Sequence, residues 1–294
     1  MHWQQITLVG VGLLGGSLGL AVRKRRLASR VIGFVRRQAS VAECEQAGAC
    51  DKAEMNLEAA VRGSDFVVLC TPLAQMRELA ERMLPAIKRE AVITDVGSVK
   101  GSVVNELELL FARAGAYFVG SHPMAGAEKT GVSAANAELF QKAVCAVTPT
   151  GATNADALQR VEEFWRGVGA MPIRMSAEKH DDLVSRSSHL PHVVAAELAN
   201  YVLSPVHPKE QAMLCANGFR DVTRIASGSV EMWRDIAVAN RKCLARVLGV
   251  FVEDLQEFQL ALQNEDRKAI EEFFEKARQR REQWRAQDAS PSPE

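Results

Sequence analysis

The chain has no charge of either sign to spare: 36 Lys and Arg balance 36 Asp and Glu over 294 residues, a formal net charge of zero. Without a global field there is nothing to gather nucleic acid or an anionic membrane surface, so an anionic ligand must be met by locally placed arginines. Cys-x-x-Cys pairs are also missing. The six cysteines, Cys44, Cys50, Cys70, Cys145, Cys215 and Cys243, are scattered, several inside apolar runs. They read as reduced thiols of a cytoplasmic protein. No uninterrupted apolar run is long enough to span a bilayer, and no charged leader with an apolar stretch stands ahead of the first strand, so neither membrane insertion nor export is expected. A composition of 47% hydrophobic and 24% charged residues then describes a chain that buries a real core.

The first half alternates short β-branched runs with amphipathic stretches, the pattern of a parallel sheet with crossover helices. Strands are predicted at residues 6–9, 31–35, 66–70, 92–96, 117–119, 144–148 and 171–175, and a helix at 155–167. From Ala177 to about Ala286 proline and glycine become sparse and apolar residues recur at helical spacing. The expected fold is therefore an α/β doubly wound sheet of the Rossmann type over 1–175, followed by an all-α domain over 176–285. The last residues, 286–294, end in Ser-Pro-Ser-Pro-Glu and read as a disordered tail.

Gly10-Val11-Gly12-Leu13-Leu14-Gly15 follows a strand and opens a helix, the context in which Gly-x-Gly-x-x-Gly points to a dinucleotide. Gly10 makes the tight turn, Gly12 lets the backbone approach a pyrophosphate, and Gly15 lets helix and strand pack closely. The helix N-terminus offers free N–H groups to the phosphates. An NAD enzyme presents Asp or Glu at the end of its second strand, but here Arg36 and Arg37 stand there. Two guanidiniums suit a 2′-phosphate, so NADP is the preferred cofactor and NAD the alternative, the arginines then being ordinary residues of a solvated turn.

Five segments in order, Gly10–Ser17 (GVGLLGGS), Asp95–Lys100 (DVGSVK), Gly120–Gly126 (GSHPMAG), Ser188–His192 (SHLPH) and Gly218–Asp235, resemble the prephenate and arogenate (cyclohexadienyl) dehydrogenases of tyrosine biosynthesis. The resemblance implies oxidation of the C4 hydroxyl of a cyclohexadienol, transfer of hydride to a nicotinamide, and loss of the ring carboxylate as CO2. It implies that His122 takes the hydroxyl proton, a task suited to a neutral imidazole near pH 7. It also implies that Ser98 hydrogen-bonds the reacting hydroxyl or that histidine, a helix cap near Val99 being the other reading of Ser98. The resemblance implies that Arg224 binds a substrate carboxylate, the strong bidentate case for a buried guanidinium, with Arg220 a helper or equally a surface residue. The resemblance sets Ser188 and His192 at the substrate side chain, a helix start before Pro191 being the other reading of Ser188, and Trp233 near the pocket, core packing being its other reading.

His189 and His192 do not suggest a metal site, because no carboxylate motif accompanies them and Pro191 interrupts the segment. Asp221 is a candidate anion for the ammonium of arogenate, and equally a partner for Arg220 or Arg224. Thr71, Pro72 and Asp95 complete the cofactor side. The helical half is expected to form a homodimer, because its apolar faces would otherwise meet water. Two other readings stay open on the residues: an imine or β-hydroxyacid dehydrogenase of similar build, and a catalytically silent NADP-binding regulator.

Overall fold

In the computed structural model, which describes residues 2–126 and 129–288, the chain forms two units, Met1–Arg241 and Lys242–Glu294. The first unit opens with β1 (Trp3–Val9), α1 (Leu13–Lys24), β2 (Ala28–Phe34), α2 (Gln38–Gln46), β3 (Lys52–Glu54) and α3 (Leu57–Val61). It continues through β4 (Phe66–Leu69), α4 (Leu73–Met83), β5 (Val92–Asp95), α5 (Gly101–Arg113) and β6 (Tyr117–Phe118). These six strands make one sheet in the order β3-β2-β1-β4-β5-β6, every pairing parallel. The order reverses between β1 and β4, and in open α/β sheets the crevice at that reversal takes ligands at the carboxyl ends of the strands.

Both faces of this sheet are covered, so a central strand such as β4, Phe-Val-Val-Leu, is apolar and buried throughout rather than alternating. Within β4, Phe66 and Val68 enter the core that holds Trp3, Ile6, Phe164 and Trp165, while Val67 and Leu69 enter the opposite core with Met76, Met83 and Phe111. The period of two along one strand thus feeds two separate cores.

β7 (Gly120–Pro123), β8 (Val144–Thr148), α6 (Ala155–Gly167) and β9 (Met171–Arg174) follow. The three strands form a second small sheet, β7 antiparallel to β8 and β8 parallel to β9. Two strands have no counterpart among those expected, β3 and β7. His122 therefore lies within a strand. It pairs with Ala146, and this pairing holds its backbone.

The remaining elements of this unit are α7 (Ala177–Val184), a π-helical turn over Ser185–His189, α8 (Leu190–Val202), α9 (Lys209–Met213), α10 (Asn217–Thr223), a short 3-10 turn at Arg224–Ser227 and α11 (Val230–Ala239). Pro191 does not interrupt the segment as expected. It sits in the first turn of α8, where its missing N–H costs little, and the π turn carries the chain into it without a break.

The second unit holds most of α12 (Arg241–Gln263) and all of α13 (Arg267–Asp288), held to each other by Phe258 against Phe273 and Phe274 at ring distances of 4.3 and 5.8 Å. Val250, Leu260 and Leu262 of α12 and Phe274 and Trp284 of α13 are more than half exposed. Residues 286–288 belong to α13 rather than to a tail, since Ala286 and Gln287 are good helix formers and the first proline comes at Pro291. The rest of the expected tail, 289–294, lies outside the described residues. No helix is long and apolar enough to cross a membrane among the described residues.

Candidate active site

The turn between β1 and α1 is shaped by its glycines. Gly10 has φ +97°, and a Cβ there would stand 2.9 Å from Thr71 Cγ2. A Cβ on Gly15 would stand 2.0 Å from the Gly10 carbonyl oxygen, so any side chain would push α1 off the sheet. A Cβ on Gly12 meets nothing within 4 Å. Space is thus kept open at the one glycine that needs it for a ligand. Gly12 caps α1 with no side-chain hydrogen bond, and no acidic residue occupies the first turn, so the N–H groups at Leu13 and Leu14 and the positive end of the helix dipole stay available. Thr71 Oγ1, beside the turn, is buried and meets no hydrogen-bond partner among the described residues. An open cradle with an orphaned hydroxyl on its wall fits the pyrophosphate of a dinucleotide. Pro72 caps α4 next to it, and Arg36 and Arg37 are exposed just past the end of β2.

Asp95, expected at the cofactor, is enclosed instead. It is fully buried and pairs with Lys100, itself fully buried, while its two oxygens accept from Gly97 N at 2.8 Å and Ser121 N at 2.9 Å. Lys100 Nζ also donates to the Ser121 carbonyl at 2.8 Å. Ser121 Oγ in turn donates to the Asp95 carbonyl at 2.6 Å and receives Trp165 Nε1 at 3.0 Å. These bonds lash the residue before His122 to the end of β5. Burial pulls the Lys100 ammonium below its ordinary pKa, with Asp95 pulling the other way.

His122 is half-buried and its Nδ1 lies 2.9 Å from His180 Nε2, while His180 Nδ1 lies 2.8 Å from Asp181 Oδ1. The network assigns the protons. A carboxylate only accepts, so His180 carries its proton on Nδ1 and, with one proton per ring, offers a lone pair at Nε2. His122 must then donate from Nδ1, which leaves its Nε2 as the free base. This is the logic of a base oriented by a second group that is oriented by a third. Burial, then His180, Lys100 and His189, hold His122 well below the usual 6.5, so the ring is neutral at pH 7.

Neither His180 nor Asp181 was among the expected site residues. An adjacent His-Asp pair in a polar amphipathic stretch carries no motif, and only the tertiary fold buries it against β7. Asp181 also accepts from Lys100 N and Gly101 N, both at 2.8 Å, and so caps α5. That removes the capping reading of Ser98, which is half-buried in the loop between β5 and α5. Burial works against the Asp181 carboxylate, but His180 and the two backbone N–H groups outweigh it and hold the group below the usual carboxylate range.

His192 donates from Nδ1 to the Ser188 carbonyl at 2.9 Å and stacks on Trp233 with ring centroids 3.7 Å apart. Ser188, His192 and Trp233 are thus brought together. Burial lowers the His192 pKa, with the Ser188 carbonyl opposing. Arg224 opens the 3-10 turn that packs on α8, and Arg220 and Asp221 lie on α10 just before it. The guanidinium of Arg224 belongs to an exposed residue, contrary to the buried one expected, because the turn that carries it lies at the surface of α8. No group of His, Cys, Asp and Glu able to hold a metal ion occurs among the described residues.

Residues 18–174 match the prephenate dehydrogenase nucleotide-binding domain, and residues 176–276 match the prephenate dehydrogenase dimerization domain. The chain is 33% identical to the cyclohexadienyl dehydrogenase of Zymomonas mobilis, over 95% of each chain. It is also 33% identical to the prephenate dehydrogenase of Bacillus subtilis, over 94% of this chain and 75% of that one. Among solved structures, the prephenate dehydrogenase from A. aeolicus in complex with hydroxyphenyl propionate and NAD+ superposes with a TM-score of 0.90 at 30% identity, covering 96% of this chain and 99% of that one. The chain belongs to the prephenate dehydrogenase family and is an NAD(P)-dependent oxidoreductase.

Proposed function

We propose that this enzyme oxidises and decarboxylates prephenate to 4-hydroxyphenylpyruvate, with arogenate as a second substrate giving tyrosine, and that it prefers NADP. The observation that carries the reading is the free Nε2 of His122, a neutral base whose opposite nitrogen is tied to His180 and, through it, to Asp181. His122 Nε2 accepts the proton of the C4 hydroxyl as the C4–H hydride departs. Bound nicotinamide supplies the hydride acceptor. The ring carboxylate leaves as CO2, its bonding electrons complete the aromatic ring, and the resulting phenolate oxygen takes the proton back from His122, so the reaction runs one way.

Asp181 fixes the tautomer of His180 and His180 that of His122, so the base meets the hydroxyl proton in a single orientation. Ser98 is assigned to the hydroxyl. Arg224 is assigned to a substrate carboxylate, and Ser188, His192 and Trp233 to the side chain, where Asp221 would favour an ammonium over a ketone. Gly10, Gly12, Leu13, Leu14, Gly15, Thr71 and Pro72 are assigned to the dinucleotide, and Arg36 and Arg37 to a 2′-phosphate, their exposure just past β2 supporting the reading.

On this reading residues 1–175 hold the cofactor and residues 176–285 complete the substrate site and form a homodimer through their exposed apolar faces. Its cysteines are free and suit a reducing compartment, the cytoplasm. The test is the initial rate of NAD(P)H formation with prephenate and arogenate, each with NAD and NADP, for the wild type and His122→Asn. A loss in the variant of about 100-fold or more supports the base. Wild-type turnover with neither substrate overturns the reading.

A further inference from the structure

His189 is a buried imidazole that the reaction as described does not use. It ends the π turn before α8 and is 1% exposed. Its Nδ1 lies 3.1 Å from Asn240 Nδ2, and the same amide nitrogen donates to the Asp181 carbonyl at 2.8 Å. A carbonyl only accepts, so the amide has one allowed orientation and the atom facing Nδ1 is a donor. Nδ1 is therefore the lone pair, and the single proton of the neutral ring sits on Nε2. Burial pushes His189 down to about 4, against the pull of Asp181, which keeps the ring in that neutral form.

Nε2 itself is buried and makes no well-aligned hydrogen bond among the described residues; the Ser98 backbone carbonyl beside the ring raises its pKa but is not aligned to satisfy the donor. A buried N–H without a well-aligned acceptor is costly and rare in folded proteins. The ring belongs to the reacting end of the site. Asn240 ties it to Asp181, the third member of the His122 relay, and the Ser98 backbone flanks it. Its edge meets the Trp233 ring at 6.1 Å, with His192 on the far stack.

We propose that His189 is a ligand-binding donor, its Nε2–H held by Asn240 for an oxygen acceptor of the bound substrate and cofactor pair. Two oxygens have the chemistry: the C4 hydroxyl of the substrate and the carboxamide carbonyl of the nicotinamide. The inference rests on the oxidoreductase reading above, and its tests are separable from it. His189→Phe keeps a ring and removes the donor, whereas His189→Gln returns an N–H near the position of Nε2.

His189→Phe is expected to lower kcat/KM for prephenate about 10- to 100-fold, the size of one buried hydrogen bond, and His189→Gln to recover most of it. The affinity for NAD+ alone, measured by fluorescence titration, identifies the acceptor. Weakening there assigns the carboxamide, and an effect confined to prephenate KM or kcat assigns the hydroxyl. Equal behaviour of His189→Phe and wild type in both assays, or a glutamine variant as impaired as the phenylalanine one, overturns the proposal.

A measurement on the wild type needs no variant to fold. In histidine-labelled enzyme, 15N–1H correlation should show the His189 proton on Nε2, shifting downfield when NAD+ or 4-hydroxyphenylpyruvate saturates the site. A proton on Nδ1, or no shift with either ligand, also overturns it. Absence of prephenate turnover by the wild type defeats the proposed function instead, while the NAD+ arm still judges His189.

Discussion

His122 and His180, 58 residues apart in sequence, meet Nδ1 to Nε2 at 2.9 Å, and the contact decides which nitrogen of His122 is the base. His180→Phe keeps the ring volume and removes the acceptor, so His122 is free to turn and to change tautomer. Steady-state kinetics should show kcat lower by about 10²- to 10⁴-fold, the span of a mispositioned general base, with the KM for NAD(P) little changed. Equal kcat in variant and wild type would remove His180 from the mechanism.

The pH profile follows from the protonation of His122. The base works only when unprotonated, and burial together with His180 sets its pKa well below 6.5. A plot of kcat/KM should therefore be flat through neutrality and fall only at pH values clearly below 6.5. A midpoint near 7 would contradict the buried, neutral ring.

Stability has the same sign. His122 and His189 take no proton in the folded state where the unfolded chain does, so protons favour unfolding below 6.5. Stability is whole above 6.5 and is lost as pH falls towards 4. His189, depressed from 6.5 to about 4, accounts for roughly 3 kcal/mol of that loss at most. Urea midpoints at pH 7.5 and pH 5 measure it, and equal midpoints would contradict it.

Gly12→Ala and Gly15→Ala separate binding from folding. The first puts a methyl group into open space, so Tm should hold while NAD(P) affinity falls by at least about tenfold, since the methyl occupies the pyrophosphate approach. The second drives a Cβ to 2.0 Å from the Gly10 carbonyl and should lower Tm as well. Thermal melts with and without cofactor distinguish the two.

Most of the parallel sheet could be read from the sequence, because strands buried on both faces are continuous apolar runs with helices between them. β3 escaped notice because only three residues form it, at the sheet edge. β7 escaped because Gly-Ser-His-Pro reads as a turn, and only pairing with β8 makes it a strand. The cofactor turn was legible since its glycines answer local demands. The pairing of His122 with His180 was not, because it depends on where a later helix lands. Asp95 was misplaced for the same reason, its role being set by Lys100 and Ser121 after folding.

Lys100→Met tests that buried pair. It leaves the Asp95 carboxylate fully enclosed without its cation, which costs about 3–5 kcal/mol. Chemical denaturation should register that loss, and kcat should fall too as Ser121 and the adjacent His122 lose their anchor. A variant as stable as wild type would mean that the pair contributes nothing to the fold.

Cofactor choice rests on Arg36 and Arg37. Replacing both with alanine should raise KM for NADP about tenfold or more while leaving KM for NAD within a few-fold, the signature of lost guanidinium bonds to a 2′-phosphate. Equal changes with both cofactors would make them a solvated turn.

The carboxylate of Asp181 caps α5 with one hand and orients His180 with the other, and the caps at Lys100 and Gly101, like the His180 contact with His122, cross the junction between the two family domains. The two halves are therefore not interchangeable parts. A chimera that joins the first domain of this enzyme to the second of a relative would have to reproduce one side chain to within a hydrogen-bond length, or forfeit a helix terminus and the catalytic base together. Inheritance of the pair as a single block is the expected record of that constraint.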